Sequence, residues 1–342
     1  MDRRLVSPAP PGTIGATDGG RPSIRPFATG DMPQVLDLLA VSLGWVPDGH
    51  HAAFFSWKHA ESPFGPSLAW VAERDGKVIG FRAFLRWEFE QPGAVLQAVR
   101  AVDTATAPAA RGRGVFTALT RAGLESLDGH GVRFVFNTPN DQSRPGYLKM
   151  GWEDVGRVAL QLRLASVRSL PRVARARTTA DLWSVPSDAG LPAAEVLADE
   201  DAVAGLLRAQ PPPTGLRTRL TPEVLRWRYA GFPALAYRGL TGVGGPAAGL
   251  ALFRLRRRGA AVEVMIGEVL VPGADARAAA RLAREVLVVS GADYAVATGT
   301  RRWRGFVPVP GEGPVLTWRG VGAGGRPPAR AWDLSLGDIE LF

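Results

Sequence analysis

The stretch Val102–Phe116, VDTATAPAARGRGVF, decides how this chain is read. It joins the end of an extended run, a proline break at Pro108, a glycine-rich turn and the first residues of a helical pattern. Gly112 and Gly114 carry no side chains, so a ligand can come up against the backbone there. The first amides of a helix lack acceptors of their own, and the helix dipole is positive at that end. The segment therefore predicts an anion cradle of the kind that takes a pyrophosphate, with Arg111 and Arg113 adding charge. Arg-Gly pairs are common in this chain, since Arg111, Arg113, Arg238, Arg258, Arg304 and Arg319 each precede a glycine. The information lies in the context, a strand before the turn and an amphipathic helix after it. No P-loop lysine follows, and Thr117 stands where a dinucleotide-binding Gly-x-Gly-x-x-Gly needs its last glycine.

Upstream of the turn, Ser23–Phe27 reads as a short strand and Asp31 as the cap of a helix carrying Val35, Leu38 and Leu39 at helical spacing. His51–His59 is a second helix. Leu68–Glu73 and Lys77–Phe89 form a hairpin around Asp75-Gly76, and Val95–Ala105 is a long strand. Downstream, a helix over Arg113–Leu127 puts Phe116, Leu119, Gly123 and Leu127 on one face. Val132–Phe136 is a buried strand, Arg144–Lys149 a short helix and Trp152–Leu164 another strand. Strand–helix–strand units around a hairpin predict a mixed α/β sheet.

From 166 to 192 apolar periodicity is lost, which predicts a linker between domains. The second half, 193–342, echoes the first. Trp57-Lys58-His59 matches Trp227-Arg228-Tyr229, Gly80 matches Gly249, and Pro108 matches Pro272, each at similar intervals. Matched spacings of this kind predict an internal repeat.

Composition narrows the function classes. The 342 residues are 46% hydrophobic and 21% charged, which is globular, and the length suggests two domains. The absence of cysteine rules out disulfides, thiolate metal sites and a thiol nucleophile. His50, His51, His59 and His130 are not spaced as a metal pair, so no metal is expected. The net charge of +9 rests almost wholly on arginine, with only Lys58, Lys77 and Lys149 as lysines. Its densest groups, Arg256–Arg258 and Arg301–Arg304, are short and read as solvated turns. Met1–Arg21 reads as a flexible tail without the apolar stretch of a secretory signal. No run of apolar residues is long enough for a membrane span, and a cytoplasmic protein is expected. The oligomeric state cannot be read.

The segment around the turn resembles the GNAT acetyltransferase superfamily, whose signature is a strand ending in Pro and then Arg/Gln-x-x-Gly-x-Gly/Ala opening a helix. Arg111 and Gly114 match its first two fixed positions, and Phe116 stands where the family usually has Gly or Ala. A second motif agrees: Asn140, then Ser143, then Tyr147 inside Tyr147-Leu148-Lys149-Met150-Gly151-Trp152. The resemblance covers 22–165. It does not extend sharply to 193–342, where Gly-Ala-Asp-Ala-Arg-Ala after Pro272 lacks the cradle.

The resemblance implies an α/β fold with a mixed, mostly antiparallel sheet flanked by helices, followed by a second, degenerate GNAT-like half. It implies acetyl- or acyl-CoA as donor and an amine of a small molecule or protein as acceptor, with no nucleic acid and no membrane. CoA would be held by Arg111, Gly112, Arg113, Gly114, Val115, Phe116 and Asn140, and the thioester carbonyl by the amides of Thr104, Ala105 and Thr106. Without cysteine both substrates must meet in one ternary complex. Tyr147 is the candidate general acid, with ring packing as the alternative. Asp103 is either the general base or a structural carboxylate, and Glu88 and Glu90 lie on the neighbouring strand. Asn140 binds CoA or forms a strand-end turn. Trp57, Trp70 and Trp87 are expected in the core, and the acceptor in a cleft between the halves. Two further functions stay open: an acyl-CoA sensor without turnover, and an arginine-rich nucleic-acid-binding protein.

Overall fold

Asp75 and Gly76 both adopt positive φ, 52° and 73°, which is the backbone a tight two-residue hairpin requires. They join β2 (Leu68–Arg74) to β3 (Lys77–Gln91), and β3 returns into β4 (Ala94–Thr106). The structure, a computed structural model, describes residues 21–44, 49–176, 178–298, 303–322 and 331–340. Apart from Arg21, the expected N-terminal tail lies outside these residues, as do Arg301 and Arg302.

The first half also contains β1 (Ser23–Pro26), β5 (Phe134–Asn137), β6 (Glu153–Arg157) and β7 (Leu160–Leu164), with helices α1 (Met32–Leu43), α2 (His51–His59), α3 (Val115–Leu127) and α4 (Arg144–Lys149). After α5 (Leu170–Arg175) come β8 (Leu191–Pro192), α6 (Ala193–Val196), α7 (Glu200–Arg208), β9 (Leu216–Thr218) and α8 (Pro222–Ala230). The chain continues through β10 (Arg238–Gly242), β11 (Gly245–Arg258), β12 (Ala261–Leu270), α9 (Ala276–Ser290), β13 (Tyr294–Thr298), β14 (Val307–Val309), β15 (Val315–Gly320), β16 (Trp332–Asp333) and α10 (Leu336–Ile339).

Two sheets result. The first runs β1-β2-β3-β4-β5-β15-β6, with β9 added at the far end of β3 and β16 beside β9. The second runs β8-β10-β11-β12-β13-β7-β14. Neighbours are antiparallel except β4–β5, β12–β13 and β9–β16. This is the mixed, mostly antiparallel α/β architecture expected, in two halves with the same strand order.

The halves exchange one strand. β15, from the second half, lies between β5 and β6, and β7, from the first half, lies between β13 and β14. The single strand expected over Trp152–Leu164 is thus two strands in different sheets. Strand character continues through Val158-Ala159, and side-chain periodicity records no change of partner there. The segment expected as a linker carries α5 and ends inside β8, the edge of the second sheet.

The repeat marker becomes a contact. Trp57 Nε1 donates to the Trp227 carbonyl at 2.7 Å, and Trp227 Nε1 donates to the Trp57 carbonyl at 2.9 Å. Their rings stack at 5.3 Å. Such reciprocity is what an approximate two-fold axis produces. Trp57, Trp70 and Trp87 are all buried. Along β3, Phe81, Ala83, Leu85 and Trp87 face the core shared with Trp227, while Phe84 faces α3, as the two-residue period of a strand dictates. Gly80 lets α3 approach, since a Cβ there would come within 2.6 Å of Val115. Among the described residues no helix is long and apolar enough to cross a membrane.

Candidate active site

β4 and β5 pair only over Ala98–Arg100 and Phe134–Phe136. β4 then runs on to Thr106 while β5 stops at Asn137, so the strands part and leave the end of β4 without a partner on that side. Its pairing with β3 shifts between Phe81↔Ala105 and Ala83↔Val102. Asp103 is the extra residue of this bulge, at a φ of 45° that aspartate tolerates better than most side chains. The sequence expectation put the carbonyl-binding amides of Thr104, Ala105 and Thr106 here, and they lie just past the bulge where the strands diverge.

The Asp103 carboxylate is committed to α2. Lys58 Nζ donates to Oδ1 at 3.0 Å, and His59 Nε2 lies 2.8 Å from Oδ2. A carboxylate only accepts, so the imidazole proton is on Nε2, and Nδ1 accepts from the Ser67 hydroxyl at 2.9 Å. Burial pushes Asp103 up, but the Lys58 ammonium and the His59 hydrogen bond outweigh it and hold the carboxyl well below the usual carboxylate range. Burial pushes His59 down more than Asp103 raises it, so the imidazole is neutral at pH 7. A carboxylate that resists protonation is a poor general base near neutrality.

Beyond β4 the chain makes the turn Arg111–Gly114 and enters α3. Gly112 and Gly114 have φ of 73° and 77°, a conformation that favours glycine, and no atom lies within 4 Å of where a Cβ would stand at either. Arg111 to Gly114 are exposed. No side chain caps the N-terminus of α3, so its first amides are open to a ligand. Val115 is buried in the seam with β3, and Phe116 turns its ring inward against Tyr147, 5.4 Å away and edge-on. That inward packing accommodates a large residue where the resembled family has a small one.

Tyr147, on α4, is buried between Phe116 and Trp152. Its hydroxyl accepts from Arg82 Nη1 at 2.5 Å, and the same nitrogen donates to Thr104 Oγ1. Tyr147 thus meets the end of β4 through Arg82. Asn140 is exposed and opens the turn into α4, its side-chain oxygen accepting from the Ser143 amide at 2.9 Å. Glu88 and Glu90 do not join the site. They pair with Arg219 and Arg217, and Glu88 lies six residues along β3 from Arg82, or about 20 Å of extended strand.

A cavity of about 170 Å³ does lie between the halves, lined by Glu90, Arg217, Glu268, Trp303, Asp333 and Asp338 among others. Its β3 contributor, Glu90, is eight residues from Arg82, so the cavity is remote from the parting of β4 and β5.

The family model of the acetyltransferase (GNAT) domain matches residues 23–155. Residues 23–155 are a GNAT domain. The match ends just before the exchanged strand β7. No curated protein matches the chain by sequence. Among solved structures, a GCN5-related N-acetyltransferase of Anabaena variabilis is 14% identical, with a TM-score of 0.60 over 88% of this chain and 73% of its own. A GCN5-related N-acetyltransferase of Kribbella flavida is 15% identical, with a TM-score of 0.57 over 87% of this chain and 71% of its own. At such identities the likeness is one of fold, and it extends over both halves.

Three residues of the candidate site escaped the sequence reading. Lys58 and His59 stood out only as part of the repeat marker, although a lysine and a histidine on one apolar helix are themselves a signal. Arg82 sits in the run Val78–Leu85, where every other side chain is apolar or absent. A lone arginine in a strand buried on both faces was the available clue.

Proposed function

We propose that this chain is an acyl-CoA-dependent N-acyltransferase that moves an acetyl or other acyl group from CoA to an amine of a small molecule or protein, by direct transfer in a ternary complex. The observation that carries this reading is the uncapped, glycine-lined N-terminus of α3, opening at the point where β4 leaves β5. The CoA pyrophosphate would lie on the amides from Gly112 to Phe116 with Arg111 and Arg113 beside it, and the thioester carbonyl against the amides of Thr104 to Thr106. When the C–S bond breaks, Tyr147 gives its proton to the leaving sulfur. Asp103 serves as the fixed charge that holds the bulge, and the amine proton leaves through water.

The second half reads as a degenerate GNAT-like unit without a CoA site. Its equivalent helix, α9, is closed by Asp275, whose carboxylate accepts from the amides of Arg277 at 2.7 Å and Ala278 at 3.3 Å. Those are the groups a phosphate would need. In the arginine-rich run on β11, Arg256 and Arg258 pair with Glu263, which speaks against a nucleic-acid patch there.

The committed Asp103 would equally suit a sensor that holds acyl-CoA without turnover. Thiol release from acetyl-CoA in the presence of a panel of primary amines, with mass spectrometry of the products, separates the two. Acylated amine with matching thiol supports the transferase, and saturable CoA binding with no product over any amine supports the sensor.

A further inference from the structure

We propose that Arg82 is a positioning residue for acyl transfer: it holds the Tyr147 phenol with its proton directed away from β3 and towards the leaving sulfur, and it faces the charge left on the phenol oxygen. The proposal rests on Tyr147 being the general acid.

Arg82 stands on β3 directly across from the bulge at Asp103, and it is completely buried. Its guanidinium carbon lies 4.7 Å from the Phe84 ring, 5.1 Å from the Tyr147 ring and 5.9 Å from the Phe116 ring. Nη1 donates to Tyr147 Oη at 2.5 Å and to Thr104 Oγ1. Nε and Nη2 are buried with no hydrogen-bond partner. The adjacent carboxylate, Asp103, is engaged by Lys58 and His59 instead. A permanent cation is therefore held in an aromatic shell, and among the described residues no carboxylate pairs with it.

Such an arrangement is costly to the fold. The second sheet shows that the topology does not demand it. There the pairing of β11 with β12 also shifts, between Leu252↔Glu268 and Phe253↔Ile266. Counting from the matched Gly80 and Gly249, the residue in the place of Arg82 is Ala251, which packs on the α9 side of its sheet as Arg82 packs on the α3 side. The half with the closed helix terminus and no counterpart of Tyr147 carries an alanine. The half with the open terminus carries the buried charge.

The hydrogen-bond inventory then orients Tyr147. A phenol has one proton to give, and a guanidinium only donates. With Arg82 donating to its oxygen, the Tyr147 proton must point elsewhere, and among the described residues it donates to no acceptor. In the transfer, the amine nitrogen bonds to the carbonyl carbon, the C–S bond breaks with its electron pair going to sulfur, and the Tyr147 proton goes to that sulfur. The negative charge now on the phenol oxygen faces the Arg82 cation until water returns a proton, while the proton displaced from the amine goes to solvent. The charge-assisted bond is stronger in that state than before it, which is how a positioned donor lowers a barrier.

The test compares Arg82→Met, Arg82→Lys, Tyr147→Phe and the double variant Arg82→Met/Tyr147→Phe. The readouts are thiol release from acetyl-CoA with a primary amine as acceptor, and thermal unfolding with and without CoA. Arg82→Met should keep the parent's melting temperature or exceed it, because an uncompensated buried charge is removed. It should lower kcat by about 10²-fold with KM for acetyl-CoA unchanged, and Arg82→Lys should recover part of the loss. In the Tyr147→Phe background the Arg82→Met change should cost nothing further, because the two act as one unit. Equal losses in both backgrounds overturn the proposal, as does a rise in KM with kcat intact. A variant that fails to fold makes Arg82 structural and overturns it as well. If Tyr147→Phe alone leaves kcat unchanged, the reading of Tyr147 has failed first, which is seen without reference to Arg82.

Discussion

Replacing Asp103 with Asn separates the charge of this carboxylate from its backbone role. Asparagine suits the positive φ of 45° at the bulge and nearly matches aspartate in shape. What disappears is the charge facing Lys58 and His59, whose side chains are only 3% and 2% exposed. Removing one partner of a buried pair costs about 3–5 kcal/mol, a large share of the roughly 5–15 kcal/mol that holds a domain folded. Urea unfolding at pH 7 should register that loss. The folded carboxyl titrates below its ordinary value of 3.8, so its stabilisation is complete above that value and disappears as pH falls through the still lower folded pKa. The gap between parent and variant should therefore be level from about pH 5 to 8 and narrow only in strong acid. Lys58→Met added to Asp103→Asn should restore most of the stability, since both charges then leave together. Parental stability in Asp103→Asn would refute this reasoning. So would lost turnover with stability untouched, an outcome that would make Asp103 the base.

Other expectations follow from the same geometry. Tyr147→Phe should retain CoA-dependent thermal stabilisation and lower turnover by about 10²–10⁴-fold; an unchanged kcat would return Tyr147 to a packing role. His59 is buried neutral, with its pKa lowered from 6.5, so unfolding free energy should decline as pH drops below about 6.5, and that component should vanish in His59→Gln. A fragment ending at residue 165 lacks β15, whose Leu316, Thr317 and Trp318 are buried between β5 and β6. Expressed alone it should show no cooperative unfolding, and co-expression with 166–342 should rescue it; a lone fragment that unfolds cooperatively and binds CoA would contradict the strand exchange.

The parts of this molecule that were legible in the sequence are local. The Pro108 break, the Gly112 and Gly114 turn, the following amphipathic helix and the Tyr147 motif each depend on residues within a turn or two of one another, and they fall where expected. Asp75-Gly76 marks its hairpin for the same reason. The exchange of β7 and β15 was not legible because strand propensity says nothing about which sheet supplies the partner. Asp103 could be placed on the long strand, but its partners Lys58 and His59 lie some 45 residues upstream, and only the fold brings α2 to the bulge. The matched spacing of Trp57 and Trp227 was visible in the sequence, and the reciprocal hydrogen bonds between them give that spacing a physical reason.

Titration calorimetry with acetyl-CoA on the full chain, repeated on Gly114→Glu, tests the central claim most directly. Position 114 is open, so glutamate meets no atom of the protein within 4 Å at its Cβ, and a φ of 77° there costs only about 1–2 kcal/mol. The variant keeps its fold while placing a carboxylate where the pyrophosphate would lie. The account predicts one site per chain in the parent and none in Gly114→Glu. No binding by the parent, two sites per chain, or undiminished binding by the variant would contradict it.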